Sequence, residues 1–98
     1  MDRSAIIATL RKSEAQLRAR GVAHAALFGS RARLDHGPAS DIDIIIEFEP
    51  SAPVSVWDYV AIKEFIADLF SGPVDVVSRE GLKAHIRPSA NLDAVYAF

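Results

Sequence analysis

The chain is 98 residues long with a formal net charge of -2; half its residues are hydrophobic and 24% are charged. That balance describes one globular domain over residues 1–98, and it excludes a disordered segment or a polybasic nucleic-acid binder. The lack of cysteine excludes disulfides and thiolate metal sites. The charged N-terminus has no signal-peptide core, and no apolar run nears the ~20 residues of a membrane helix. The expectation is a soluble cytoplasmic protein with no membrane contact and no direct nucleic-acid binding.

Residues 4–20 read as one amphipathic helix, with Ile6, Ile7, Leu10 and Leu17 forming the apolar stripe. Ser4 is the expected N-cap, and Gly21 stands where a left-handed C-terminal residue belongs. Val22 to Phe28 is a first short strand ending at Gly29-Ser30. Arg31 to Leu34 fits a helical turn, and Asp35-His36-Gly37-Pro38-Ala39 a loop.

Asp41 to Phe48 is the clearest strand. After a loop marked by Pro50 and Pro53, a second amphipathic helix carries Trp57, Val60, Ala61, Phe65 and Leu69, flanked by Ile62 and Ile66. It ends before Gly72-Pro73, and Val74 to Val77 is a third strand. In the tail, Leu82 to Ile86 fits a helical turn interrupted by Pro88, and Val95 to Phe98 is either a short strand or a docked apolar end. The order helix, strand, strand, helix, strand predicts an α/β domain with helices packed on one small sheet.

The chemistry concentrates in Gly29-Ser30-Arg31-Ala32-Arg33 and in Ser40-Asp41-Ile42-Asp43. Alternate residues of a strand share a face, which sets Asp41 and Asp43 side by side, roughly 6.5 Å apart at Cα. Neighbouring carboxylates repel unless a cation lies between them. Hard oxygen ligands of this kind suit Mg²⁺ bound together with substrate phosphates. Asp75, in the apolar strand Val74-Asp75-Val76-Val77, supplies a third carboxylate. Three converging carboxylates meet the requirement of two-metal phosphoryl transfer.

Gly29 lets the backbone approach a phosphate closely. The Ser30 hydroxyl, with Arg31 and Arg33, offers hydrogen bonds to its oxygens. Each element alone has an ordinary explanation: Asp-x-Asp often begins a solvated strand, and Gly-Ser is common in turns. Their combination with Asp75 carries the functional reading.

That combination resembles the signature of the DNA polymerase β-like nucleotidyltransferase superfamily. The small size and the closing Val74-Asp75-Val76-Val77 make the chain similar to the minimal nucleotidyltransferase (MNT) antitoxins. The resemblance implies a small mixed sheet with helices packed on it. It also implies catalytic, metal-binding Asp41, Asp43 and Asp75 with two Mg²⁺, and nucleotide-binding Gly29, Ser30, Arg31, Arg33 and Ser40 with ATP as substrate.

Such antitoxins transfer AMP to a tyrosine of a HEPN ribonuclease toxin, which here would be a separate chain, in a homo- or hetero-oligomer. A non-catalytic antitoxin acting by complex formation, or a small-molecule nucleotidyltransferase, are the alternatives. One departure is Leu34, where the family usually has glycine; Gly37 lies three residues later.

Of the remaining residues, His24, His36 and His85 lack partners at metal-ligand spacing and read as hydrogen-bonded or solvated. Arg79, Lys83 and Arg87 read as a solvated basic face. Trp57 is expected in the core and Tyr59 on the surface.

Overall fold

The computed structural model describes residues 2–29, 32, 41–79 and 94–98. The expected turn at 31–34 apart from Ala32, the turn at 82–86, the loop 35–39, and Ser30, Arg31, Arg33, Leu34, His36, Gly37, Ser40, Lys83, His85, Arg87 and Pro88 lie outside these residues.

The first helical segment is two helices, α1 (Arg3–Lys12) and α2 (Glu14–Ala19). The cap is Asp2 rather than Ser4: its carboxylate accepts from Ala5 N–H at 2.8 Å. Asp and Ser cap about equally well, so composition alone did not choose between them. The break falls at Ser13, whose φ of -99° and ψ of 7° leave helical geometry and whose N–H turns back to Leu10 O. Ile6, Ile7, Leu10 and Leu17 are all buried, as the apolar stripe requires. Gly21 ends α2 with φ +98°, the left-handed conformation expected of it.

Strands β1 (Val22–Phe28), β2 (Ile42–Phe48), β3 (Val74–Ser78) and β4 (Val95–Tyr96) form one sheet in the order β3-β2-β1-β4. β1 pairs antiparallel with β2 and with β4, while β2 and β3 run parallel. This is a mixed sheet, and helix α3 (Val56–Ala67) supplies the connection that a parallel pair needs. The C-terminal segment is both strand and docked end: Val95 and Tyr96 pair with β1, and Ala97 is buried with its N–H on Ala25 O at 2.8 Å.

Ala25 and Leu27 of β1, Ile42, Ile44 and Ile46 of β2, and Val76 of β3 share one core cluster with Ile6, Leu10, Leu17, Ile62 and Ile66 from the helices. The helices therefore cover one face of the sheet. By strand alternation the other face carries His24, Ala26 and Phe28, then Asp43, Ile45 and Glu47, then Asp75 and Val77.

Helix α3 is phased differently from the expectation. Ile62 and Ile66 are buried with Tyr59, Phe65 and Leu69 packed behind them, whereas Trp57 is 82% exposed and Val60 and Ala61 are exposed. Apolar residues surround most of this helix, so several stripes satisfy the 3.6-residue period and packing on the sheet selects one. Tyr59 is correspondingly inside: its ring meets Phe48 edge-on, and its hydroxyl accepts from Ser78 N–H at 3.1 Å.

Candidate nucleotidyl-transfer site

Three backbone constraints bring the candidate residues to one end of the sheet. β2 leaves its loop just after Asp41, and Ile42 N–H donates to Pro73 O at 3.1 Å, aligning the starts of β2 and β3. Parallel pairing then sets Asp43 directly opposite Asp75. Neighbouring strands lie about 5 Å apart, and paired residues point to the same face, so the two carboxylates stand side by side. Asp43 is half-buried and Asp75 exposed.

Antiparallel pairing sets Phe28 opposite Asp43, which delivers Gly29 to the same place. Gly29 has φ +76°, and a Cβ built there would lie 2.5 Å from Asp43 Oδ2 and 3.3 Å from its Cγ. The turn after β1 is therefore pressed against the carboxylate, an approach open only to glycine. Ala32 N–H then closes back on Gly29 O at 3.1 Å.

Asp41 is exposed and lies one residue before β2, not within it. Among the described residues, no three histidine, cysteine, aspartate or glutamate side chains are gathered to hold a metal ion. The donor chemistry nevertheless fits a hard divalent cation: two carboxylates in register, a third two residues upstream, and a glycine turn packed closely against Asp43. Ser30, Arg31, Arg33 and Ser40 lie outside the described residues.

Four strand positions along the same face is a second polar group that the sequence did not reveal. Glu47 pairs with Arg79 at 3.2 Å, Tyr96 donates to Glu47 Oε2 at 3.2 Å, and Arg79 also donates to the Tyr96 hydroxyl. Arg79 is therefore an ion-paired residue rather than part of a solvated basic face. Burial and the adjacent Glu47 raise the Tyr96 pKa above its ordinary value, against the lowering effect of Arg79. His24 packs edge-on to Tyr96, and its Nδ1 lies 3.3 Å from Phe98 O, a hydrogen-bonded histidine as expected. The only available sequence signal was the period-two position of Glu47 relative to Asp43; its partners come from distant segments.

A cleft of about 520 Å³, lined by Arg20, Gly21, Glu49, Val54, Asp58 and Ile62, opens at the other end of β1. Gly21 and Gly29 are separated by the whole strand, roughly 25 Å by strand rise. That cleft is thus remote from the paired carboxylates.

The chain is similar to known proteins in sequence and fold. The nucleotidyltransferase-domain family matches residues 8–96. Protein adenylyltransferase MntA of Thermococcus cleftensis is 31% identical over 76 residues, which cover 78% of this chain and 75% of that protein. A solved structure provisionally named a minimal nucleotidyltransferase superposes with TM-score 0.78 at 26% identity, covering 97% of this chain and 95% of the other. A toxin-antitoxin crystal structure with AMP-PNP shares the fold, at TM-score 0.69 and 16% identity over 90% of this chain and 72% of that one. With its mixed sheet, its paired aspartates and these relatives, the chain belongs to the minimal nucleotidyltransferases of the DNA polymerase β-like superfamily.

Proposed function

We propose that the chain is a Mg²⁺-dependent protein adenylyltransferase, the antitoxin of a toxin-antitoxin pair, transferring AMP from ATP to a tyrosine hydroxyl of a HEPN ribonuclease toxin on a separate chain. The observation that carries this reading is the Asp43–Asp75 register with Gly29 packed onto Asp43. Adjacent carboxylates at a strand end offer hard oxygen ligands to a divalent cation, and a left-handed glycine beside them suits a phosphate. The relative named a protein adenylyltransferase and the fold shared with a toxin-antitoxin complex point the same way.

In this reading Gly29 and Ser30 bind the triphosphate, Arg31 and Arg33 neutralise its oxygens, and Ser40 lines the nucleotide site. Asp43 and Asp75, joined by the exposed Asp41, would hold two Mg²⁺, which when bound neutralise phosphate charge and lower the pKa of the incoming hydroxyl. Asp75 accepts the proton of that hydroxyl. The tyrosine oxygen bonds to the α-phosphorus as its bond to the bridging oxygen breaks; AMP joins the toxin and pyrophosphate leaves. In this reading the acceptor belongs on another chain, a toxin like the one in the toxin-antitoxin structure that shares the fold.

The test is intact mass analysis of the toxin after incubation with this protein and Mg·ATP. An AMP adduct on tyrosine is expected. Asp43→Asn should slow its formation by more than about 100-fold, beyond the effect of losing an outer-shell partner of a metal site. Toxin silenced without nucleotide and without an adduct would replace this reading with neutralisation by binding alone.

A further inference from the structure

Helix α1 begins beside the turn that follows β1. The Arg3 guanidinium donates from Nη1 to the Ala32 carbonyl oxygen at 3.0 Å, bridging 29 residues of sequence. Ala32 is 4% exposed and belongs to the helix-side core, and its own N–H is held by Gly29 O. Gly29 and Ala32 are therefore each held in place. Gly29 rests on the Asp43 carboxylate and Ala32 hangs from α1.

The anchor is itself well fixed. Asp2 caps α1, and Ile6, Ile7 and Leu10 bury its inner side. Near the opposite end of the helix, Arg11 Nε donates to Ala97 O at 2.8 Å. A hydrogen bond from a charged donor to a largely buried carbonyl is stronger than a neutral one, and removing the donor leaves that carbonyl without its partner.

We infer that Arg3 is a positioning residue that sets the Gly29–Ala32 turn for triphosphate binding, acting through the Ala32 carbonyl. This rests on the nucleotidyl-transfer reading above. The guanidinium presents several donors in a rigid fork, whereas lysine offers a flexible point charge, so Arg3→Lys restores the charge with less of the geometry.

The experiment compares wild type, Arg3→Ala and Arg3→Lys by amide hydrogen exchange across residues 29–33, by calorimetric ATP affinity, and by the urea midpoint. Arg3→Ala should speed exchange in that turn and weaken ATP binding about tenfold, with kcat at saturating ATP nearly unchanged and partial recovery in Arg3→Lys. Unchanged exchange in the turn overturns the inference, whether ATP affinity is kept or lost; lost affinity alone would make Arg3 a direct phosphate ligand. A lowered urea midpoint with normal exchange and affinity would leave Arg3 merely structural. If Arg3→Ala does not fold, the same readouts on Arg3→Lys decide. Wild-type protein that binds no ATP overturns the function reading and the triphosphate part of this inference with it, while faster exchange in the variant would still identify Arg3 as the clamp of the turn.

Discussion

A methyl group at position 29 would have to share space with the Asp43 carboxylate, 2.5 Å from Oδ2, in a backbone conformation that L-residues disfavour. Gly29→Ala should therefore act twice. The left-handed conformation costs about 1–2 kcal/mol of stability, and the displaced carboxylate lowers AMP transfer well beyond what lost folding explains. Urea denaturation alongside a single-turnover assay separates the two; a variant that transfers AMP at the wild-type rate would show that the contact is incidental.

Tyr96 makes a second prediction at this scale. Its pKa is raised, chiefly by burial and then by Glu47. The folded protein thus holds the phenolic proton more tightly than the unfolded chain does. Its contribution to stability is fully present below the ordinary tyrosine range near 10 and is lost as pH rises through the higher folded value. Ultraviolet titration of tyrosinate should show a component above that range that disappears in Tyr96→Phe. A normal titration would remove the assigned burial and charge environment.

At the scale of elements, α3 depends on its start and on its phase. Ser55 and Asp58 form a reciprocal capping box, and the Ser55 hydrogen bonds lower the Asp58 pKa. The Asp58 contribution is present above its unfolded value of 3.8 and fades as pH falls through the lower folded value. Ser55→Ala should lower Tm by about 4–8 °C at neutral pH, the loss expected for an average cap in a domain of this size. That difference should shrink in strong acid, which thermal melts at two pH values would reveal.

Phase is tested by contrast. Ile66, fully buried, should cost about 2–5 kcal/mol when truncated to alanine. Trp57→Ala should change stability by no more than about 0.5 kcal/mol, because the indole stands in solvent. Similar urea midpoints for the two variants would mean that α3 sits on the sheet in another rotation.

At the scale of the whole molecule, the C-terminal residues close one edge of the sheet. β4 pairs with β1, Ala97 is buried between Ala25 and the Arg11 side chain that holds its carbonyl, and the Phe98 ring lies under Arg18. Deleting residues 95–98 should both lower stability and expose the β1 edge to pairing between molecules. Light scattering at rising protein concentration would detect the association, and a deletion variant that stays monomeric with full stability would contradict this role.

Local signals settled a good part of this architecture. The strand Val22–Phe28 matches its apolar run, Gly21 ends the preceding helix in the left-handed conformation, and Ile42, Ile44 and Ile46 face the helices as period-two alternation demands. Gly29, Asp41, Asp43 and Asp75 were legible as residues of interest because their types and spacing belong together. Their proximity was not legible, since the Asp43–Asp75 register depends on how two strands 32 residues apart are paired. The same limit hid Arg79 with Glu47 and Tyr96, and Arg3 with Ala32. Period and turn chemistry act within a few residues, so the sequence by itself determined the strands, the presence though not the bounds of the helical segments, the faces of the strands and the candidate carboxylates. Long-range register, the rotation of α3 and the tying of the glycine turn to α1 were decided only by tertiary packing, because each depends on surfaces that meet only after the chain has folded.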